Sequence, residues 1–112
     1  MPHEQYQACI DACTRCAQAC RHCAASCLQE HDVQKMTECI RLDLDCAGIC
    51  ELSVAYMSRG SEHSRQLCTL CAQICERCAE ECARHQAQHC QQCAQACRDC
   101  AAWPEPMAVS VN

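Results

Sequence analysis

The chain has 112 residues, enough for one domain, with 18 cysteines, no phenylalanine, one tryptophan and two tyrosines. Its formal net charge of −5 excludes the basic surface that nucleic acid requires, and no apolar run approaches the length of a membrane span. The first residues lack the basic start and apolar stretch of a signal peptide, which predicts a cytosolic protein with reduced thiols.

The first predicted element is a helix over about residues 3–31, with Pro2 suited to its first turn. Its cysteines recur at alternating intervals of four and three. These intervals average about 3.5 residues, the period of a helix seam that faces partner helices in a left-handed bundle. Six thiols therefore share one inward face: Cys9, Cys13, Cys16, Cys20, Cys23 and Cys27.

The second predicted helix spans about residues 33–59, with Asp32 as its N-cap and Gly60 as its C-terminal stop. Its row contains fewer thiols, but every inward position is soft or polar: Met36, Cys39, Asp43, Cys46, Cys50, Ser53 and Met57. A second apolar stripe lies on another face of this helix and comprises Leu42, Ile49, Leu52 and Tyr56. That stripe is equally compatible with packing inside one bundle and with contact to a partner subunit.

Two further helices are predicted over about residues 62–85, with Ser61 as N-cap, and about 88–102. Their thiol rows are Cys68, Cys71, Cys75, Cys78 and Cys82, then Cys90, Cys93, Cys97 and Cys100. The gap between Cys82 and Cys90 breaks the seam, so we expect a tight turn near 86–88. Short links join antiparallel neighbours. The prediction is an all-α, up-down-up-down four-helix bundle with a cysteine-lined core over residues 1–103, and an irregular tail over 104–112.

This topology gathers polar side chains at one end of the bundle. Continuing the third row past Cys82 by three and then four residues reaches His85 and His89, and Asp43 is also inward. We interpret these three as metal ligands at a mouth that also contains Glu30, His31 and Met36. Histidines near helix ends often only interact with terminal carbonyls, and methionine is often core filler. The opposite end, with Tyr6, Met57, Ser64 and Trp103, is predicted to be a plug.

Several explanations of the thiol rows are weaker than metal binding. Thiols stacked along one helix point in nearly the same direction, which does not suit a disulfide framework. Use of cysteine as a small hydrophobe does not explain why almost no seam position is Val or Leu. The alternating spacing also fails to match the ferredoxin run C-x2-C-x2-C-x3-C-P.

Cu(I) suits the rows better than Zn²⁺, which stays the alternative metal. Zn²⁺ takes four ligands, so the 18 thiolates would hold only about four ions, and each site would leave negative charge in a dry core. Cu(I) is soft, selects thiolates and accepts two or three ligands. One monovalent ion per thiolate keeps the interior near neutral.

The residues also resemble those of a known family, the bacterial four-helix-bundle copper storage proteins, in particular their cytosolic branch. The resemblance covers residues 4–101 and rests on "EQYQACIDAC", "CIRLDLDCAGIC" and "ECARHQAQHCQQCAQAC". It implies a homotetramer of bundles, each storing many Cu(I) ions on inward cysteines.

Storage or buffering of Cu(I), without catalysis, is therefore the leading functional hypothesis. A thiol or metal redox enzyme would show one distinguished cysteine or open metal position, and only the mouth cluster could supply it. A metal-delivery chaperone needs an exposed, exchangeable site, which sequestered rows do not offer. Expected partners are copper donor or acceptor proteins or small thiols, without nucleic acid or membrane.

Overall fold

The computed structural model describes residues 6–102, which form four α-helices and one short 3-10 helix. Helix α1 spans Gln7–Cys27, the 3-10 helix Val33–Met36, α2 Thr37–Ser58, α3 Ser64–Ala83 and α4 Gln88–Ala101. The tail predicted over 104–112, Trp103, and the predicted helix start at residue 3 lie outside the described residues. None of the helices within 6–102 is long and apolar enough to cross a membrane.

Each helix packs against two neighbours, so the four form a closed square. α1 contacts α2 and α4, and α3 contacts the same two helices. Consecutive helices run antiparallel, because contacts pair the start of one with the end of the next, as for Cys39 with Cys82. This arrangement confirms the predicted up-down-up-down bundle. All 18 cysteines are buried and none is in a disulfide, so the core is built from thiols and small alanines.

The first helix ends at Cys27, earlier than the predicted end near residue 31. The amides of Gln29 and Glu30 donate to the carbonyls three residues before them, at 3.0 and 3.1 Å, which tightens and closes the last turn. A helix to residue 31 would leave too few residues to reverse the chain. Residues 28–32 and the 3-10 helix make that reversal and bring Met36 into the core, where it is 6% exposed.

Helix α2 is terminated by glycine before the link to α3, as predicted. Gly60 has a φ of 65°, and its amide donates to the Met57 carbonyl while that of Ser61 donates to Tyr56. These two bonds form a Schellman motif. Ser61 does not cap α3, because that helix begins at Ser64. The hydroxyl of Ser61 instead accepts a hydrogen bond from the amide of His63 at 3.1 Å.

Two other junctions depart from the predicted details. Asp32 precedes the 3-10 helix without a side-chain capping bond and forms an ion pair with Lys35 at 3.8 Å. The α3–α4 link occupies residues 84–87, because α3 ends at Ala83 and not near residue 85, whereas the sequence predicts the turn near 86–88. Gln91 stabilises the link, because its side-chain amide donates to the carbonyls of Ala83 and His85 at 3.2 and 2.6 Å.

Candidate metal centre

The inward side chains of the four helices form layers along the bundle axis, which we name by their residue on α1. Cys16 lies 3.6 Å from Cys46 on α2, and Cys46 lies 3.4 Å from Cys75 on α3 (sulfur to sulfur). Such contacts define four complete layers: the Cys23 layer (Cys23, Cys39, Cys82, Cys90), the Cys20 layer (Cys20, Asp43, Cys78, Cys93), the Cys16 layer (Cys16, Cys46, Cys75, Cys97) and the Cys13 layer (Cys13, Cys50, Cys71, Cys100).

Adjacent layers are also in contact, so the thiols form one continuous column. Along single helices, the sulfurs of residues four apart approach to 3.8 Å, as in Cys71–Cys75 and Cys78–Cys82. Groups of four sulfurs that all lie within 4.8 Å of one another recur along this column. A soft ion bound anywhere in the column therefore finds two or three sulfur ligands nearby.

Asp43 occupies one corner of the Cys20 layer and has no solvent-exposed surface. Its Oδ1 accepts from the thiols of Cys78, Cys82 and Cys93 at 3.2, 3.4 and 3.3 Å. Burial raises the pKa of Asp43 to about 10, because an ionised carboxylate is costly away from water. The metal-free protein at neutral pH therefore holds a neutral carboxylic acid here, in the second layer from the end of the column that carries His89.

His89 lies against the thiols at the open end of the column. Its Nδ1 is 3.6 Å from the sulfur of Cys23, 3.9 Å from Cys27 and 3.5 Å from Cys90, while its Nε2 is 2.8 Å from an oxygen of Glu30. A carboxylate that accepts one ring N–H leaves the other nitrogen free to bind a metal. The Nδ1 of His89 therefore faces these three thiols, while Glu30 holds the other nitrogen of the ring.

The other residues predicted at the mouth have more varied positions. The Nε2 of His85 is 2.8 Å from an oxygen of Glu81. Hydrogen bonds from the neighbouring thiols of Cys23 and Cys82 lower the pKa of Cys39. Met36 is buried in the core, whereas His31 is exposed. We name this end, with Cys27, Glu30, Met36, His85 and His89, the mouth.

Two of the thiols at this end, those of Cys27 and Cys90, stay protonated in the absence of metal. Burial raises the pKa of Cys90 to about 11 and also raises that of Cys27, because a lone thiolate is poorly solvated there. Neutral thiols pack as small apolar groups, so the column can exist before metal binds. Each metal ion that enters must displace protons.

Together these features define a class of protein: a thiol-lined helical bundle with capacity for many soft metal ions. A family model described as "Copper storage protein" matches residues 2–109. The chain therefore belongs to the copper storage protein family.

Individual relatives agree with this assignment. The Cu(I)-bound copper storage protein BsCsp3 superposes with a TM-score of 0.89 at 46% identity, over 93% of this chain and 98% of that one. A cytosolic copper storage protein from Streptomyces lividans, solved with five coppers, gives a TM-score of 0.91 at 39% identity, over 99% and 98% of the two chains. The cysteine-rich protein YhjQ of Bacillus subtilis is 48% identical over 70 residues, which are 62% of this chain and 65% of that protein, just under two thirds of its length.

The structure adds one acidic residue, Glu81, to the predicted mouth and shows that the predicted Glu30 pairs with His89. Glu81 is 9% exposed and holds His85, and the four-residue spacing of these two on one helix is a signal that the sequence already contains. Glu30 and His89 come from different helices. Their pairing depends on how the first loop turns, and no local spacing indicates it.

Proposed function

We propose that this copper storage protein holds a cytosolic reserve of many Cu(I) ions, with its 18 cysteines as thiolate ligands and without catalytic turnover. The observation that carries the proposal is the continuity of the thiol column, in which sulfurs of adjacent helices lie 3.4 to 4.0 Å apart. A catalytic or electron-transfer centre needs one defined site. A column in which each layer resembles the next supplies capacity instead.

Copper enters and leaves, in this proposal, through the mouth. His89, whose side chain is 15% exposed, lies against the buried Cys27 at this end, and Asp43 lies further in, beyond the Cys23 layer. Copper donor or acceptor proteins, or small thiols, exchange Cu(I) with these side chains. Burial of the thiols protects the stored ions from other reactants.

The assembly is proposed to be a homotetramer, with the outer face of α2 as a subunit contact. Leu44 and Leu52 on this face are 52% and 44% exposed. Gly48 lies between them, and a Cβ built on it meets no atom within 4 Å. An exposed glycine inside a helix costs about 1 kcal/mol relative to alanine, and a second helix packed closely against it would offset that cost. Leu42 and Ile49 of the predicted stripe instead pack into the chain's own core.

An anaerobic titration of the reduced, metal-free protein with Cu(I) tests the storage proposal. A colorimetric Cu(I) chelator competes for the metal, and far-UV circular dichroism follows the helix content. We expect an endpoint near one copper per cysteine, with strong helicity before any copper is added. Replacing Cys16, Cys20, Cys75 and Cys78 by Ala in turn should lower the endpoint stepwise and keep the helices.

Two results would contradict the proposal. An endpoint of one or two ions would contradict the storage proposal and favour a discrete site at the mouth, as a chaperone or redox enzyme requires. Displacement of bound Cu(I) by an equal concentration of Zn²⁺ would make zinc the preferred metal.

A further inference from the structure

Two serine hydroxyls at the end of the bundle opposite the mouth, which we name the closed end, have no hydrogen-bond partner. Ser53 on α2 is 0% exposed and Ser64 on α3 is 1% exposed. The Oγ atoms of both lack any partner within residues 6–102. A buried hydroxyl without a partner loses its hydration and gains nothing in return, so such groups call for an explanation.

Neighbouring hydroxyls show that the helices offer an ordinary solution. Thr14, Ser58 and Thr69 each donate to the carbonyl four residues earlier, at 2.8, 2.7 and 3.0 Å. Ser53 and Ser64 point into the core instead.

The heptad register places Ser53 level with two thiols. Along α1 and α2, Cys23 contacts Cys39 at 4.0 Å, and one heptad further Cys16 contacts Cys46 at 3.6 Å. The next heptad step pairs Cys9 with Ser53. The same register holds between α2 and α3, where Cys39 contacts Cys82 and, one heptad further, Cys46 contacts Cys75. The next heptad step pairs Ser53 with Cys68.

Cys9, Ser53 and Cys68 therefore form the last layer of the column, the Cys9 layer. Ser64 lies one helical turn before Cys68 on α3, so two unpartnered donors flank Cys68. The buried Met57 lies level with Ser64, because Cys50 and Cys71, one heptad earlier, are 3.6 Å apart.

The Cys9 layer differs chemically from the layers inside the column. An inner thiolate can bridge two Cu(I) ions and share its charge between them, whereas a thiolate at the end has copper on one side only. When two thiols bind one Cu(I), they release two protons and form a centre of net charge −1. That charge is costly in a dry core unless donors face it, and hydroxyls that donate to an anionic acceptor form strong, charge-assisted bonds.

We propose that Ser53 and Ser64 are charge-compensating donors for copper at the closed end: their hydroxyls donate to the thiolates of Cys68 and Cys9 once that layer holds Cu(I). The inference rests on the proposed storage function and deepens it. The metal-free protein bears the cost of two unpartnered hydroxyls, and the loaded protein recovers it. The Cys9 layer is thereby a retentive site, the one that keeps its ion longest when copper is withdrawn.

Chelator competition on the loaded full-length chain tests this inference. Wild type, Ser53→Ala, Ser64→Ala and the double variant are saturated with Cu(I), then treated anaerobically with rising concentrations of a colorimetric Cu(I) chelator. We expect the last copper ion of the double variant to be removed at a chelator concentration about tenfold or more below the concentration that wild type requires. Loss of a hydrogen bond to a charged group implies a change of this size. Total capacity should be unchanged. Ser58→Ala, an exposed serine on the same helix, is the matched control.

Two further measurements separate this role from a structural one. The metal-free serine variants should melt a few degrees above wild type, because each loses an unpartnered buried hydroxyl. In a Cys68→Ala background the serine substitutions should have no further effect on copper retention.

Each contrary result has a definite meaning. Superimposable chelator curves for wild type and the double variant, with full loading of both, would overturn this inference and leave storage intact. A lowered melting temperature with unchanged retention would do the same, since it would assign the hydroxyls a structural role. A wild type that binds only one or two ions would overturn storage and this inference together.

Discussion

Asp43 is a carboxylic acid enclosed by thiols, and its protonation couples stability to pH. Its pKa rises on folding from about 3.8 to about 10, so the folded metal-free chain prefers the neutral form. The stability associated with a raised pKa is full below the unfolded value and is lost as pH rises towards the folded one. As pH rises from about 4 to about 10, the metal-free protein should therefore become less stable, because this carboxyl is ionised in the unfolded chain but still protonated in the folded one.

Replacing Asp43 by Asn keeps the shape and removes this dependence. Keeping the carboxyl protonated costs about 1.4 kcal/mol more for each pH unit above its unfolded pKa. We therefore expect Asp43→Asn to stabilise the metal-free protein at pH 7.5 by up to about 5 kcal/mol, and the two proteins to be nearly equal at pH 4. Reduced, metal-free chains are compared by urea unfolding at both values of pH. An advantage of equal size at pH 4 and pH 7.5 would show that ionisation of this side chain is not the cause.

The proposed passage of copper from solvent to the sulfurs of Cys23, Cys27 and Cys90 makes His89 a site to test, because its Nδ1 lies 3.5 to 3.9 Å from them. We expect His89→Ala to slow Cu(I) uptake about tenfold, within the range that loss of an orienting or ligating group usually costs, and to lower capacity by one ion at most. Glu30→Gln should slow uptake less, because the ring keeps its place and loses only its carboxylate partner. Stopped-flow transfer from a coloured Cu(I)–chelator complex measures the rate.

The exposed His22 on α1 provides the control for this experiment. His22→Ala should load at the wild-type rate. If His89→Ala also loads at that rate, copper reaches the column by another route and the mouth assignment is wrong.

At the scale of elements, the loop between α2 and α3 depends on the left-handed backbone of Gly60. At a φ of 65°, an L-residue with a Cβ is strained by about 1–2 kcal/mol. Gly60→Ala should therefore lower the free energy of unfolding by about 1 kcal/mol, and Gly60→Asn by less, because asparagine tolerates this region better. Chemical denaturation of the metal-free chain measures both, and equal losses in the two variants would argue against backbone strain as the cause.

The helices could be predicted from sequence because each thiol row reports one buried face, and a seam that repeats every seven residues is typical of helices packed in a left-handed bundle. The first loop could not. Nothing near Cys27 is glycine or proline, and the chain turns there because Met36 must reach the core. Ser53 could be placed in the seam, but the absence of a partner for its hydroxyl depends on where the other three helices put their side chains.

At the scale of the whole molecule, the same thiols serve two states. In the metal-free state they are small side chains that fill the core together with alanine, as the buried Ala47 and Ala94 illustrate. In the loaded state they are thiolates whose charge the copper ions balance. Since the thiols already pack the core without metal, we expect one backbone to persist through filling and emptying, which would allow the outer surfaces to support an assembly in both states.

The outer face of α2 is where such an assembly should be tested. A glutamate placed in an apolar contact would have to be buried without a partner, so Leu44→Glu combined with Leu52→Glu should separate the subunits. Sedimentation equilibrium should give wild type a mass about four times the 12.5 kDa of one chain, and the double variant a smaller one. Leu28→Glu, at an equally exposed leucine beyond α1, should leave the mass unchanged. A monomeric wild type would contradict the proposed tetramer.

Because the thiol column lies inside each bundle, the separated subunits should still bind as much copper per chain as wild type. A loss of capacity on separation would mean that the column is completed across the subunit contact.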